Sequence, residues 1–290
     1  MNLYLLAALL SGVFYSINGV LYKISNKYSI RDPLRLLFYI YFLQLPLSLL
    51  ILPFVKFSFI RQDLFSFLFF NLAFFVGSIF VGFSLVHLDA SVFMPLFNLQ
   101  LILTGSLAYF ALGERYSTVS YLFMVVIVLG GVLVSAEDKF QLKISKPLIL
   151  LLIGLLFYSL SDIFGGIAVR KLGVLNLRFW SSIFLFILSI LLVPFFKVNE
   201  KIIPSKLVPP FFVGFFGFLG LIFLSLGFIY SVSLSQALGR LSSVYSLILI
   251  IVLAKYRGEF LEKYSRKVYI TRFVGCLIMV VAALGLVLTK

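Results

Sequence analysis

The chain has 290 residues, of which 62% are hydrophobic and only 12% are charged. Soluble domains carry about 25% charged residues, and no soluble fold hides so much apolar surface from water. The composition therefore excludes a soluble protein and indicates an integral membrane protein. The net charge of +14 is not a nucleic-acid footprint, because lysines and arginines fall mostly in loops and near the ends of apolar stretches, where they meet lipid headgroups.

Ten apolar stretches follow one another along the chain, and each is long enough to cross a bilayer as a helix. They are too long for barrel strands and show no alternation of polar and apolar residues. We therefore predict an all-α integral membrane protein with ten transmembrane helices. The predicted spans are 3–22, 34–55, 64–86, 91–112, 117–135, 147–169, 174–196, 209–231, 234–254 and 268–289.

Three short sequences of the first half recur in the second half, each at the same place in its span. The pairs are Phe14-Tyr15-Ser16 with Phe157-Tyr158-Ser159 and Leu34-Arg35 with Leu177-Arg178, both 143 residues apart, and Gly113-Glu114 with Gly258-Glu259, 145 residues apart. This regularity predicts two five-helix repeats, residues 1–137 and 147–290. Because five is an odd number, the second repeat would enter from the opposite face. Such inverted repeats are typical of secondary transporters, whose binding sites lie between the repeats near the midplane.

A set of short motifs resembles a known family. The motifs of the first half are Val86-His87-Leu88-Asp89-Ala90-Ser91, Pro95, Leu112-Gly113-Glu114-Arg115 and Gly130-Gly131. The second half repeats them more loosely with Ser233-Leu234-Ser235-Gln236, Gly258-Glu259, Gly275 and Gly285. Together they resemble the EamA-like family of the drug/metabolite transporter superfamily, over the whole chain. The resemblance implies a ten-helix carrier that moves small organic metabolites, often amino acids or related compounds, outward and without ATP hydrolysis.

The glutamate of each Gly-Glu pair ends its span. Glu114 and Glu259 are interpreted as topological markers or as partners of loop ion pairs with Arg115 and Arg257, rather than as catalytic groups. The Gly-Glu pair is the most specific element of the resemblance, although a dipeptide is informative only in this context.

The loops on alternate faces differ in charge. If the amino terminus is outside, the inside loops hold 16 lysines and arginines, and the outside loops hold 7, Arg178 among them. The positive-inside rule then places both termini outside. The family resemblance implies the opposite, because relatives usually keep both termini in the cytoplasm. Both orientations stay open at this point.

Two formal charges lie inside the predicted spans, Asp162 in the sixth and Arg240 in the ninth. Each is costly in lipid, so each is expected to face the bundle interior or a water-filled cavity. The Asp162 carboxylate could bind a proton or a cationic substrate group and so couple transport to a proton gradient. The alternative is a structural ion pair with Arg240. The Arg240 guanidinium could hold a substrate carboxylate through two parallel hydrogen bonds, or extend to the membrane interface.

Amide and hydroxyl side chains are concentrated in spans 1, 4, 6 and 9, which correspond between the two halves. In a bilayer such groups either join helices or line a path, and this concentration favours a shared cavity. Asn98 and Gln100 are two residues apart, so only one of them can point into that cavity. The predicted substrate-binding residues are Tyr15, Asn18, Asn98, Tyr158, Asp162, Gln236, Arg240 and Ser243, and Asp162 is also the predicted coupling-ion site.

Few residues of the chain suit catalysis or metal binding. The only histidine is His87 and the only cysteine is Cys276. They argue against an internal disulfide, a metal centre and membrane-enzyme chemistry, so we expect neither an enzyme nor a cofactor. A channel is disfavoured because the sequence shows no filter and no repeated pore-lining ring.

We therefore predict a multi-pass secondary active transporter of the plasma membrane that works by alternating access. Its expected partners are a small-molecule substrate and membrane lipids, with no nucleic acid, and it would act as a monomer or a homodimer. Export of amino acids or related metabolites, with possible proton coupling, is the preferred function. The alternatives are a multidrug or organic-cation exporter, for which a carboxylate would be wanted in span 1 where Asn18 stands, and less favourably a lipid-handling protein or a channel.

Overall fold

The computed structural model describes residues 3–56, 64–88, 97–134, 145–196, 203–256 and 266–289, and these contain helices but no strand. Within them the α-helices are α1 Leu3–Tyr28, α2 Pro33–Leu49, α3 Leu64–His87, α4 Gln100–Leu112, α5 Thr118–Val134, α6 Lys146–Leu172, α7 Val174–Ile190, α8 Val208–Tyr230, α9 Val232–Gly239, α10 Ser242–Tyr256 and α11 Arg266–Leu288. Short 3₁₀ turns lie at Leu52–Phe54, Val193–Phe195 and Pro204–Leu207. The prediction of an all-helical chain is confirmed for these residues.

Five segments of the described chain are both long enough and apolar enough to cross a bilayer. They are Leu3–Tyr28, Leu64–His87, Lys146–Leu172, Pro204–Tyr230 and Ile270–Leu288. The helices α2, α4, α5 and α7 are apolar but shorter. The chain is therefore a multi-pass membrane protein, and the count of ten spans stays a prediction.

The predicted ninth span, 234–254, is not one continuous helix. α9 ends at Gly239, a turn follows at Arg240 and Leu241, and α10 begins at Ser242. Glycine weakens a helix because it loses more backbone entropy, and serine side chains compete for backbone hydrogen bonds. The break therefore follows from the local sequence, although the apolar residues on either side conceal it.

The predicted fourth span, 91–112, has a similar interruption. Residues 97 and 98 are helical, Leu99 forms a turn, and α4 begins at Gln100. Residues 91–96, including Pro95, lie outside the described residues. Interrupted helices place unpaired backbone N–H and C=O groups near the centre of a membrane bundle. A continuous helix would use these groups in its own hydrogen bonds.

The main helix pairs join the first half of the chain to the second half. α1 packs along α8, α3 along α6, α5 along α11 and α2 against α7. Glycines allow two of these close approaches. A methyl group at Gly77 of α3 would lie 3.2 Å from the carbonyl oxygen of Gly154 of α6, and one at Gly130 of α5 would lie 3.0 Å from that of Gly275 of α11. Small residues bring helix backbones together where lipid provides no hydrophobic driving force.

The Gly-Glu pair at 113–114 has a specific structural reason. Gly113 ends α4 in the left-handed conformation, with φ of 66°, which favours glycine because a Cβ would clash there. The N–H of Glu114 then donates to the carbonyl oxygen of Ala108 at 3.2 Å. This turn ends α4 and directs the Glu114 side chain toward the second half of the chain.

The Glu114 carboxylate caps the amino terminus of α9. Its Oε1 accepts the N–H of Val232 at 2.8 Å, and its Oε2 accepts the N–H of Ser233 at 3.1 Å and the Ser233 hydroxyl at 2.8 Å. Two further hydroxyl groups donate to it. Arg170 of α6 lies 3.4 Å from Oε1, so this ion pair stands where the sequence suggested Arg115. Glu259 and Arg257 lie outside the described residues.

These contacts change the ionisation of Glu114. Burial works to raise its pKa, but the hydrogen bonds from Val232 and Ser233 more than offset that effect, and the pKa lies below the usual value. The positive end of the α9 dipole also favours the carboxylate. Because the folded-state pKa is lowered, Glu114 stabilises the fold above the ordinary glutamate pKa, and this contribution is lost as the pH falls through the folded-state value.

Replacing Glu114 with alanine is expected to lower the free energy of unfolding by about 2–4 kcal/mol, because buried N–H groups of α9 lose their charged acceptor. Arg170→Gln removes only a partly exposed ion pair and is expected to cost less than about 1 kcal/mol. Unfolding of the detergent-solubilised variants at pH 7 measures both changes. A loss in E114A no larger than that in R170Q would contradict the capping role.

Candidate functional site

A cavity of about 270 Å³ lies between helices of the two halves of the chain, and we call it the central cavity. Tyr22, Gly82 and Leu85 line it near the ends of α1 and α3, whereas Phe70 and Phe228 line it at the opposite end. The central cavity therefore extends from the level of Phe70 and Phe228 to the level of Leu85, near the face at which α1 and α3 end. The Glu114 cap lies toward the other face, where α4 ends.

Asp162 lines the central cavity from the middle of α6. It lies 16 residues after the first residue of α6, or about 24 Å along the helix axis. Its side chain is buried, and its Oδ2 accepts a hydrogen bond from Gln100 Nε2 at 2.8 Å and one from Thr104 Oγ1 at 3.1 Å. Both donors come from α4, so the carboxylate is held across the contact between the two halves.

Arg240 lies in the turn between α9 and α10 and lines the same cavity. Its Nη2 donates to Gln100 Oε1 at 2.6 Å and to Gln236 Oε1 at 3.2 Å, and its guanidinium lies 4.6 Å from the centre of the Phe97 ring. The direct ion pair with Asp162 that the sequence left open is not among the salt bridges of the described residues. Instead the Gln100 amide joins the two charges, with its oxygen toward Arg240 and its nitrogen toward Asp162.

The remaining predicted residues lie mostly around this network. Five of them line the central cavity: Tyr15, Asn18, Tyr158, Gln236 and Ser243. Some of their polar groups also join helices, since Asn18 Nδ2 donates to the carbonyl oxygen of Val213 at 2.6 Å and the Tyr158 hydroxyl donates to Ser78 Oγ at 3.1 Å. The two interpretations of intramembrane polar groups therefore apply to the same side chains.

Asn98 is the exception and requires a correction. It does not line the central cavity, and its side chain packs against Gly131 of α5. Gln100 points into the cavity instead. Two residues along a helix are separated by about 200° of rotation, and the turn at Leu99 lies between them, so one residue of the pair faces the cavity and the other faces a neighbouring helix.

Arg178 is a cavity residue that the sequence analysis missed. The charge count places it with the loop residues, although it falls within the predicted span 174–196; it lies in α7, is only 3% exposed and lines the central cavity. Its Nε donates to Ser225 Oγ at 2.9 Å, its Nη2 donates to the same oxygen, and its guanidinium lies 5.1 Å from the centre of the Phe70 ring. A signal was available, because the apolar run already begins at Val174. Without Arg178 the outside loops hold 6 basic residues, which leaves the charge imbalance in the same direction.

Gln44 is a second missed residue. It lines the central cavity, and its Nε2 donates to the carbonyl oxygen of Gly214 at 3.2 Å, which joins α2 to α8. It is the one amide side chain in the predicted span 34–55, and this was the signal that could have identified it. No group of three histidine, cysteine, aspartate or glutamate side chains that could hold a metal ion occurs among the described residues.

Apolar helices that surround a polar, charged cavity define an integral multi-pass membrane protein with a site inside its bundle. Residues 2–136 match the model of the EamA-like transporter family. This match supports the EamA-like family of the drug/metabolite transporter superfamily and confirms the resemblance seen in the sequence. The family suggests a membrane transporter of the drug/metabolite type.

Comparison with solved structures extends the fold to the whole chain. A structure titled only "Crystal structure of protein" superposes with a TM-score of 0.74 over 98% of this chain and 94% of its own, at 14% identity. It is among 28 matching chains. At this identity the likeness shows a common fold and no more. A search of curated proteins gives no significant match.

Proposed function

We propose that the chain is a secondary active transporter with ten transmembrane helices in two inverted five-helix repeats, residues 1–137 and 147–290. It exports small organic metabolites, amino acids or related compounds, across the plasma membrane by alternating access. Proton binding at Asp162 couples the cycle to a gradient. The observation that carries this proposal is one cavity between the two halves that holds both Asp162 and Arg240.

The arrangement of the helices supports the repeat. If each of the first five spans corresponds to the span five places later, the pair of spans 1 and 8 corresponds to the pair of spans 6 and 3. Both pairs are present, as α1 with α8 and α3 with α6. Tyr15 of span 1 and Tyr158 of span 6, which are 143 residues apart, both line the central cavity. Helix pairing and residue position therefore agree with the spacing of the sequence motifs.

The shape and charge of the central cavity support a small charged substrate. Its volume of about 270 Å³ is slightly below the usual range of ligand pockets, about 300 to 1,000 Å³, which favours a small substrate. A carboxylate and guanidinium groups in one cavity suit a zwitterion, because each end of an amino acid meets an opposite charge. The Glu114 cap of α9 joins the two halves toward the face at which α4 ends, and alternating access requires the halves to be held together at one face at a time.

A thermal-unfolding screen of the detergent-purified protein tests the substrate class. We expect amino acids to raise the unfolding midpoint more than sugars, nucleosides or cationic dyes, because a ligand at 100 times its Kd stabilises the folded state by about 2.7 kcal/mol. A shift produced by cationic dyes alone would contradict the amino-acid proposal and favour the organic-cation exporter.

Asp162→Asn is expected to reduce uptake driven by a pH gradient to the level of empty proteoliposomes, because asparagine cannot carry the proton. Exchange of the same amino acid between the two sides, without a gradient, is expected to continue with a raised KM, because the ammonium group loses its counter-charge while the guanidinium groups remain. Asp32→Asn is the matched control, since Asp32 caps α2 outside the cavity and asparagine is an equally good cap. Unchanged gradient-driven uptake in D162N would refute proton coupling at this residue.

A further inference from the structure

Arg178 and Arg240 differ in the groups that accept their hydrogen bonds. Both hydrogen bonds that Arg178 makes with described residues end on one acceptor, Ser225 Oγ. That hydroxyl is itself held, because it donates to the carbonyl oxygen of Leu221 at 2.7 Å. A guanidinium has five N–H donors, and Arg178 uses only two of them, on Nε and Nη2. The described residues supply no acceptor for its two Nη1 donors.

Arg240 contacts more of the polar network, although its Nε is buried without a hydrogen-bond partner among the described residues. Its Nη2 is shared between the amide oxygens of Gln100 and Gln236, and through Gln100 it is joined to Asp162. Arg178 interacts electrostatically with Asp162, but no carboxylate of the described residues lies within 4.0 Å of it. Arg240 is therefore linked to the Asp162 carboxylate through Gln100, whereas Arg178 is held only by the Ser225 hydroxyl and its Nη1 donors face no acceptor in the described part of the chain.

The central cavity consequently has an excess of positive charge. Its charged lining residues are Asp162, Arg178 and Arg240, which sum to one positive charge. A buried charge is costly unless it is paired and hydrogen-bonded. An anion bound beside Arg178 would complete the pairing, and a carboxylate fits a guanidinium because both are planar and form two parallel hydrogen bonds.

We propose that Arg178 is the anion-binding residue of the central cavity and holds the carboxylate of a small organic acid or amino acid. The proposal rests on the proposed function and assigns to Arg178 the role that the sequence suggested for Arg240. Phe74, Leu221 and Leu224 line the cavity beside this position, so the remainder of the substrate is apolar or aromatic. Arg178 lies near the start of α7 and beside Phe70, so the carboxylate is placed at the Phe70 and Phe228 end of the cavity.

Two isosteric probes of opposite charge test the proposal by isothermal titration calorimetry on the full chain in detergent. They are 4-methylpentanoate and 3-methylbutylamine, which share one branched alkyl chain. The wild-type protein is expected to bind the carboxylate at least tenfold more tightly than the amine. R178Q is expected to weaken carboxylate binding by about ten- to hundredfold, since hydrogen bonds to charged groups are lost. R178K keeps the charge but lacks the planar guanidinium, so its affinity for the carboxylate is expected to lie between those of the wild type and R178Q.

Arg115→Gln is the control for loss of one positive charge, because Arg115 is exposed at the end of α4 and outside the cavity. It is expected to bind both probes as the wild type does. Equal binding of the two probes, no carboxylate binding by the wild type, or undiminished carboxylate binding by R178Q would each overturn the proposal. If R178Q fails to fold, R178K replaces it, and carboxylate binding by R178K as tight as that of the wild type would overturn the proposal.

Leucine transport in proteoliposomes distinguishes the proposed anion site at Arg178 from the proposed function as an amino-acid transporter. Leucine carries the same alkyl chain with both charges. Transport that is equal in the wild type and in R178Q would leave the transporter intact and refute the role of Arg178. Carboxylate binding that depends on Arg178 in a protein that moves no amino acid would support the anion site and refute amino-acid transport.

Discussion

The structure depends on how two opposite charges are accommodated in an apolar bundle. Asp162 and Arg240 are both buried, and neither could stay ionised in hydrocarbon without partners. Gln100 bridges the two charges, because its amide nitrogen donates to the carboxylate and its amide oxygen accepts from the guanidinium. One neutral side chain thus links α4, α6 and the turn after α9, and a polar space is kept open between the halves.

Two local breaks make this linkage possible. The turn at Leu99 precedes Gln100, and the turn at Arg240 separates α9 from α10. Each break lets a long polar side chain leave its helix toward the centre of the bundle. The left-handed Gly113 has a related role at the end of α4, where it directs Glu114 to the start of α9. The polar residues of the second half are therefore fixed by residues of the first half at two separate levels.

Much of this could be predicted from the sequence, for physical reasons. The length of the apolar stretches predicts membrane helices, because the hydrocarbon core of a bilayer has a nearly fixed thickness. A charge inside such a stretch must avoid lipid, which is why Asp162 and Arg240 were correctly expected to face the interior. The placement of Asn98 could not be predicted, since a side chain's direction depends on helix rotation of about 100° per residue and on a turn that average hydropathy does not report.

Arg178 and the interrupted ninth span escaped prediction for a related reason. Arg178 falls inside the predicted span 174–196 but so near its start that it is counted with the loop charges, and a one-turn break in the ninth span changes little in the composition. The acceptor that positions Arg178, Ser225, belongs to a different helix and is 47 residues away. Contacts of this kind are set by packing between helices, and no spacing in the sequence predicts them.

A double-mutant cycle on Asp162 and Arg240 tests the central claim most directly. The variants are D162N, R240Q and the double substitution, and the measured quantity is the free energy of unfolding in detergent. Because Gln100 joins the two charges, each single change leaves a buried charge without its counterpart. The double variant is then expected to lose about 1–3 kcal/mol less than the sum of the single losses. Losses that add within about 0.5 kcal/mol would show two independent charges and contradict the account.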